Sequence, residues 1–445
     1  MLDMDTQKVL FGWDPVWFAG GLFLLTYVLI ITERINRAIV ALMSAGLMIM
    51  GGVITQEAAV RGVDFNTLGL LTGMMVIVAI ARRSGIFQFL AVWSAKRVNA
   101  DPWGILVMLV IVTAILSGLL DNVTTVLLIA PVTLLISDAL RIKPYPFLFA
   151  EIFASNIGGA ATLIGDPPNI MIGSAVNLSF NDFLFNLGPA AAVVMIIMMI
   201  PFYLLWGRSM SASPEDRQRV MNYNEREALT DMRLLWQSLS VLGLVLCAFT
   251  MAHHLDLQPA TIAMSGAALL LLLDNFPRKS EDQSRTVQNS FSEVEWVTIF
   301  FFFGLFIIVH GVESTGIMTL VADQLFNLTG GDSFNTSMAI LWGSALASAL
   351  VDNIPFVAAA IPVIKSMANL FGGQEGLMPI WWSLALGSCL GGNGSLIGAS
   401  ANLIVAGFAE RSGHPIHFLH FMLLAFPLML LSIVISSVYI YLRYF

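Results

Sequence analysis

Residues 121–132 read DNVTTVLLIAPV, and residues 352–363 read DNIPFVAAAIPV. The two stretches lie 231 positions apart. Each sets an aspartate and an asparagine in the middle of a long apolar tract, 103–138 in one case and 334–369 in the other. A membrane-crossing helix takes about 20 residues. A much longer tract with a polar centre reads as a re-entrant helical hairpin. Its tip must be packed in protein or line a cavity, because exposed backbone is not tolerated in lipid.

The match extends outward from the tips. Phe65 opens FNTLGLLTGMMVIVAIARRSGI, and Trp296 opens WVTIFFFFGLFIIVHGVESTGI at the same offset. Ser117 and Ser348, and Pro131 and Pro362, keep that register. NIGGAATLIGDPPN from Asn156 aligns with CLGGNGSLIGASAN from Cys389 at an offset of 233. Single crossings are expected near 16–32, 38–54, 66–82 and 184–206, then near 236–253, 258–274, 296–312 and 418–441. Tracts 147–172 and 378–405 read as broken helices, and 86–97 and 317–328 as amphipathic pieces along the interface. Each half then has five crossings and one hairpin. An odd number of crossings turns the second copy upside down, the inverted repeat of secondary transporters. The expected fold is an all-α polytopic membrane protein of two inverted-topology repeats, 1–207 and 234–445. A polar cytoplasmic linker, 208–233, joins them, and its charged run from Asn224 to Asp231 reads as a solvated face.

Composition agrees. Of 445 residues, 57% are hydrophobic and only 11% charged, and mean hydropathy is +0.82. Soluble domains need about 25% charge. A net charge of −8 with five lysines leaves no basic field for nucleic acid. No G-x-x-x-x-G-K-[ST] run occurs, so the chain carries no P-loop of its own. Cys247 and Cys389 are too far apart in sequence for a disulfide framework or zinc spacing. No catalytic site, metal or cofactor is expected. The apolar stretch from Val16 to Ile31 lacks a basic leader and a small-residue cleavage site, and reads as a retained helix. With both termini outside the plasma membrane, 17 of the 21 lysines and arginines fall inside, and Lys8, Arg61, Lys365 and Arg443 outside. The positive-inside rule is met only if each hairpin enters and leaves on one face.

Matched breaks in the two halves mark the binding site. Gly158 and Gly159 loosen one helix, and Asp166 before Pro167 reads as the N-cap of a new half-helix. Gly391, Gly392, Asn393 and Ser395 stand at the corresponding break. With Asn122, Thr124, Thr125, Thr162, Asn169, Asn353 and Asn402 they make a set of neutral hydrogen-bonding groups for a small substrate. Asp121, Asp166, Asp352 and Glu151 are the candidates for coupling to protons or sodium. An aspartate at a helix centre in the membrane costs roughly 2.5–3.5 kcal/mol on insertion scales, more than a serine or asparagine cap would. Positions 384 and 399 are Leu384 and Ala399, so Glu151 and Asp166 have no counterparts. No basic residue stands at either tip in sequence.

DNVTTVLLIAPV, EIFASNIGGAATLIGDPPNIMIG, DNIPFVAAAIPV and GGNGSLIGASANLIVAGF resemble the ion transporter superfamily, in particular its arsenite permease and melanosomal P protein branch. Pro167-Pro168-Asn169 differs from the Val-Thr-Thr-like stretch of D-type sodium–proton antiporters. Asp121-Asn122-Val123-Thr124 differs from the Ser-Asn-Thr of dicarboxylate symporters. The resemblance implies a homodimeric, elevator-type carrier exporting arsenite or antimonite, either with proton entry or with a soluble ATPase subunit. It also implies two alternatives, a sodium–proton antiporter and an anion channel or organic-anion carrier.

Overall fold

The computed structural model describes Val9 and residues 12–32, 34–276 and 278–445. Lys8 of the charge count lies outside the described residues. Regular structure among them is helical throughout, without a strand.

The first half contains α1 (Pro15–Ile31), α2 (Arg37–Met50), α3 (Gln56–Gly62), α4 (Phe65–Arg82), α5 (Ile86–Arg97), α6 (Pro102–Leu119), α7 (Asn122–Ala139), α8 (Tyr145–Gly159), α9 (Pro167–Val176), α10 (Phe180–Asn186) and α11 (Gly188–Phe202). A π turn over Tyr203–Gly207 prolongs α11. Next come α12 (Pro214–Met221) and a 3-10 turn over Glu225–Ala228. The second half contains α13 (Met232–Leu255), α14 (Pro259–Asn275), α15 (Ser280–Ser292), α16 (Trp296–Ser314), α17 (Ile317–Leu328), α18 (Ser333–Leu350), α19 (Asn353–Ser366), α20 (Met378–Gly391), α21 (Ser400–Arg411) and α22 (Phe418–Tyr444). Aspartates start many of these helices. Asp101 accepts from Gly104 N at 3.0 Å, with Pro102 at the first helical position, where no N–H is needed.

Seven helices among the described residues are long and apolar enough to cross a membrane, α6 and α7 among them. These two do not make successive crossings. Both outer ends of the pair meet the same segment: Asp101 pairs with Arg217 at 3.0 Å, and Arg141 reaches Asp216 at 3.7 Å. The chain turns back at Leu120 and Asp121. The pair α18–α19 opens the other way. Phe334 at its start packs edge-on against Tyr441 and Phe445 at the far end of α22, while the near end of α22 shares a cavity with Lys143 and Tyr145. The two hairpins therefore enter from opposite faces, and the halves are inverted.

The halves also interlock. A Cβ added to Gly73 on α4 would lie 2.6 Å from the backbone carbon of Ala263 on α14. One added to Gly304 on α16 would lie 2.6 Å from that of Ala41 on α2. In each case a helix of one repeat closes onto a helix of the other, and small residues set the distance. Outward faces carry Leu24, Leu47, Ile196, Leu244, Leu423 and Val438, all exposed and apolar, as a surface against lipid tails must be.

The charged run from Asn224 to Asp231 holds no buried residue, as a solvated face requires, while the segment 208–233 around it is folded and docked rather than loose. Val220 on α12 is fully buried, and Thr230 bonds the carbonyls of Arg83 and Ser84. Gly85 adopts φ +82°, and a Cβ there would collide with the Ala228 carbonyl. Lys96 on α5 donates to Glu225 at 2.5 Å and to the Tyr223 carbonyl at 3.0 Å. The segment is a strap docked on α5. The Lys96 ammonium holds the Glu225 carboxyl below the usual glutamate range. A depressed carboxyl supplies stability above its unfolded pKa and loses it as pH falls through the folded one. Docking is thus expected to hold at neutral pH and to loosen only below that range. Hydrogen exchange of the strap amides checks this, and fast exchange already at neutral pH would contradict it.

Candidate functional site

Two breaks lie between α8 and α9 and between α20 and α21, and they are built alike. A broken helix leaves backbone groups without partners, and buried ones must find substitutes. Asn169 donates its amide to the carbonyls of Gly159, Ala160 and Thr162, the last at 2.9 Å. Asn402 donates to those of Gly392 and Ser395 at 2.7 and 2.8 Å. The Thr162 hydroxyl donates to the Gly118 carbonyl at 2.5 Å and accepts from Gly165 N. Ser395 does the same with Ala349, at 2.6 Å, and with Gly398 N. Each hairpin is stitched to its broken helix by a serine: Ser117 to the Ser155 carbonyl at 2.6 Å, Ser348 to the Ser388 carbonyl at 2.7 Å. Of the residues singled out in the sequence, Asn169 and Asn402 thus spend their donors on the breaks themselves, and Thr162 and Ser395 spend theirs on the hairpin helices α6 and α18.

A cluster of side-chain amides lies between the breaks. Asn156 on α8 donates to Asn393 and to Asn402, both at 3.0 Å, and accepts weakly from Asn122 at 3.4 Å. Four amides from both repeats therefore converge. All four residues are buried, and the Asn393 amide nitrogen has no partner among the described residues. Cys389 occupies the position of Asn156 in the second repeat, and its thiol faces Asn169 Oδ1 at 3.5 Å. Asn156 was not singled out in the sequence. An asparagine inside an otherwise apolar buried helix was the signal available.

The acids divide. Asp121 caps α7, accepting from Thr124 N at 2.7 Å and from the Thr124 hydroxyl at 2.6 Å. Thr125 lies one residue on with its hydroxyl buried and unpartnered. Asp352 accepts from Ile354 N at the start of α19. Asp166 sits at the N-cap position of α9 but caps nothing with its side chain. Both its oxygens instead accept from Asn353 of the opposite hairpin, at 3.2 and 3.3 Å. Glu151 lies farther down α8, bonded to the Thr133 hydroxyl.

The second tip does have a cation. Arg37, the first residue of α2, pairs with Asp352 at 2.6 Å and bonds Ser400 at 2.8 Å. Tyr27 on α1 donates to the Pro355 carbonyl at 2.6 Å. The absence of a basic residue inferred from sequence is corrected here. Arg37 lies 315 positions from Asp352 and is brought in by folding. The pair is only partly buried, so its contribution is about 1 kcal/mol. Asp352→Asn is expected to lower stability by about that amount, because it leaves the guanidinium unpaired. An unchanged melting temperature in detergent would show the pair to be idle.

Residues 27–387 match the CitMHS family, described as citrate transporter. The chain belongs to this family. Like it, two mycobacterial proteins align with this CitMHS chain over nearly their whole length. One is an uncharacterised transporter of Mycobacterium bovis, 42% identical over 96% of this chain and 98% of its own. The other is a 46 kDa membrane protein of Mycobacterium leprae, 40% identical over 95% and 97%. The P protein of Sus scrofa is 32% identical over 93% of this chain, which spans 58% of that protein. The crystal structure of the YdaH transporter from Alcanivorax borkumensis has the same fold, with a TM-score of 0.60 at 14% identity, covering 96% of this chain and 97% of that one. CitMHS membership and these relatives establish a multi-pass membrane transporter of the ion transporter superfamily.

Proposed function

We propose that this CitMHS chain is a secondary active carrier in the plasma membrane, exporting arsenite or antimonite in exchange for protons. One observation supports the reading: a buried amide cluster formed by both repeats, at which the cation of the nearby tip is already neutralised by Asp352. Arsenite near neutral pH is an uncharged trihydroxide. Amides that both donate and accept suit it, and no free cation is needed. In this reading Asn122, Asn156, Asn353 and Asn393 receive the solute beside the glycines of the breaks. Asp121, Asp166, Asp352 and Glu151 couple it to protons. The hairpins and broken helices slide as one body against α1–α4 and α13–α16, in a homodimer.

A second reading has its own support. Arg37 brings a guanidinium to the second tip, and an organic anion such as the citrate of the family's description would compete with Asp352 for it.

Uptake into everted vesicles with an acidic lumen tests both. Arsenite uptake that follows the pH gradient supports the first. Uptake indifferent to the gradient, or none, removes it. Citrate uptake abolished by Arg37→Ala establishes the second.

A further inference from the structure

The face of α7 turned toward α8 carries a line of buried polar residues, of which the transport reading uses only Asn122. Asn122, Thr125, Thr133 and Ser137 recur at helical spacing and are all buried. The Ser137 hydroxyl donates to the Thr133 carbonyl at 2.8 Å. The Thr133 hydroxyl donates to Glu151 Oε1 on α8. Glu151 is 1% exposed, and its second oxygen, Oε2, has no partner among the described residues; nor does the Thr125 hydroxyl. One turn beyond Glu151, the Ser155 hydroxyl bonds the Asn122 carbonyl at 3.2 Å, and Asn156 follows in the amide cluster. At the other end, an open cavity lined by Ser137, Asp138, Arg141, Lys143 and His414 meets the arginine-rich face.

The second repeat keeps only the tip asparagine, Asn353, and lacks the rest of the line. The positions matching Thr125, Thr133, Ser137 and Glu151 hold Phe356, Ile364, Ala368 and Leu384. The stitching residues of the breaks are kept in both repeats, so the requirements of the fold do not account for the polar set. A buried carboxyl with one oxygen unpaired is costly unless it carries a proton.

We propose that Glu151 is a proton-binding site served by a one-sided route, from the cavity at Ser137 along Thr133 to the carboxyl, and on past Thr125 and Ser155 to the amide cluster. One proton leaves a hydronium ion in the cavity and binds Oε2, turning the carboxylate into a neutral acid. The same proton leaves to water at the cluster, regenerating the carboxylate. The proposal rests on the proton-coupled reading above. Other ionisable groups on the helices packed around α8 are Asp101 before α6, Asp121 and Asp138 at the ends of α7, Cys389 on α20, and Glu410 and Arg411 at the end of α21. None of them bonds Glu151.

Infrared difference spectra of the purified protein, titrated in detergent without any solute, test the site apart from transport. The wild type is expected to show a protonated-carboxyl band that appears and disappears across the titration. Glu151→Gln is expected to lose one component of that band, which Asp166→Asn keeps. Thr133→Val is expected to shift the frequency of that component, because the Glu151 carboxyl loses its hydroxyl partner. A spectrum unchanged by Glu151→Gln, or a Glu151 component untouched by Thr133→Val, overturns the proposal. Flux that ignores the pH gradient in a wild type whose band titrates as described overturns the coupled reading and leaves the proton site standing.

Discussion

Asn402→Asp is expected to lower the stability of the folded chain by about 2–6 kcal/mol, although the two side chains have the same shape. The estimate comes from counting groups, each buried polar group left without a partner costing about 1–3 kcal/mol. Asn402 gives both amide protons to carbonyls at the second break, those of Gly392 and Ser395, and its oxygen receives Asn156. A carboxylate has no proton to give. It would leave two buried carbonyls unpaired and set a negative oxygen against them. Asn169→Asp should act in the same way at the first break, where three carbonyls share one amide nitrogen. Thermal unfolding of the detergent-solubilised protein, followed by size exclusion, measures both. A melting temperature within a degree or two of the wild type would mean that the breaks are held by other contacts.

Gly158→Val is expected to separate α6 from α8, at a cost of about 3 kcal/mol or more, the upper end of overpacking effects. A Cβ at Gly158 would lie 2.3 Å from the Ala114 carbonyl oxygen and 2.6 Å from its Cα. Both are backbone atoms of a facing helix and cannot swing aside. Gly391→Val meets the same wall, with the Ala345 carbonyl oxygen 2.5 Å away. Gly243 and Gly343 are the controls, since nothing lies within 4 Å of a Cβ at either. Heating each variant before size exclusion should leave the two controls close to wild type and lose the other two. Equal survival of all four would refute the close approach of these helices.

The sequence carried the architecture because the duplication is written in register. Asp-Asn in the middle of an apolar tract located both hairpins, and the pieces 86–97 and 317–328 coincide with α5 and α17. Polar helices were not visible in the same way. The helices α12 and α15 are polar overall and carry few apolar residues, and they are held by docking, through Val220 in one case and Thr286 and Ser290 in the other. Arg37 was invisible as a neighbour of Asp352 because only the tertiary fold joins the start of α2 to the tip of a distant hairpin. The roles of Asn169, Asn402, Thr162 and Ser395 could have been found by asking where the freed carbonyls and amides of a broken helix go. Composition alone makes the same four residues look like ligands.

The crossing of α4 onto α14 and of α2 onto α16 bears on the history of the chain. Neither half can bury its own glycine seam, so a half-length ancestor would have been stable only as a pair. The two copies of that pair stood upside down to one another. A single half-length chain forming such a pair would have had to insert in both orientations. Duplication freed each half from that constraint. Each half of the present chain needs only one way into the membrane, and its basic residues are free to gather on one side.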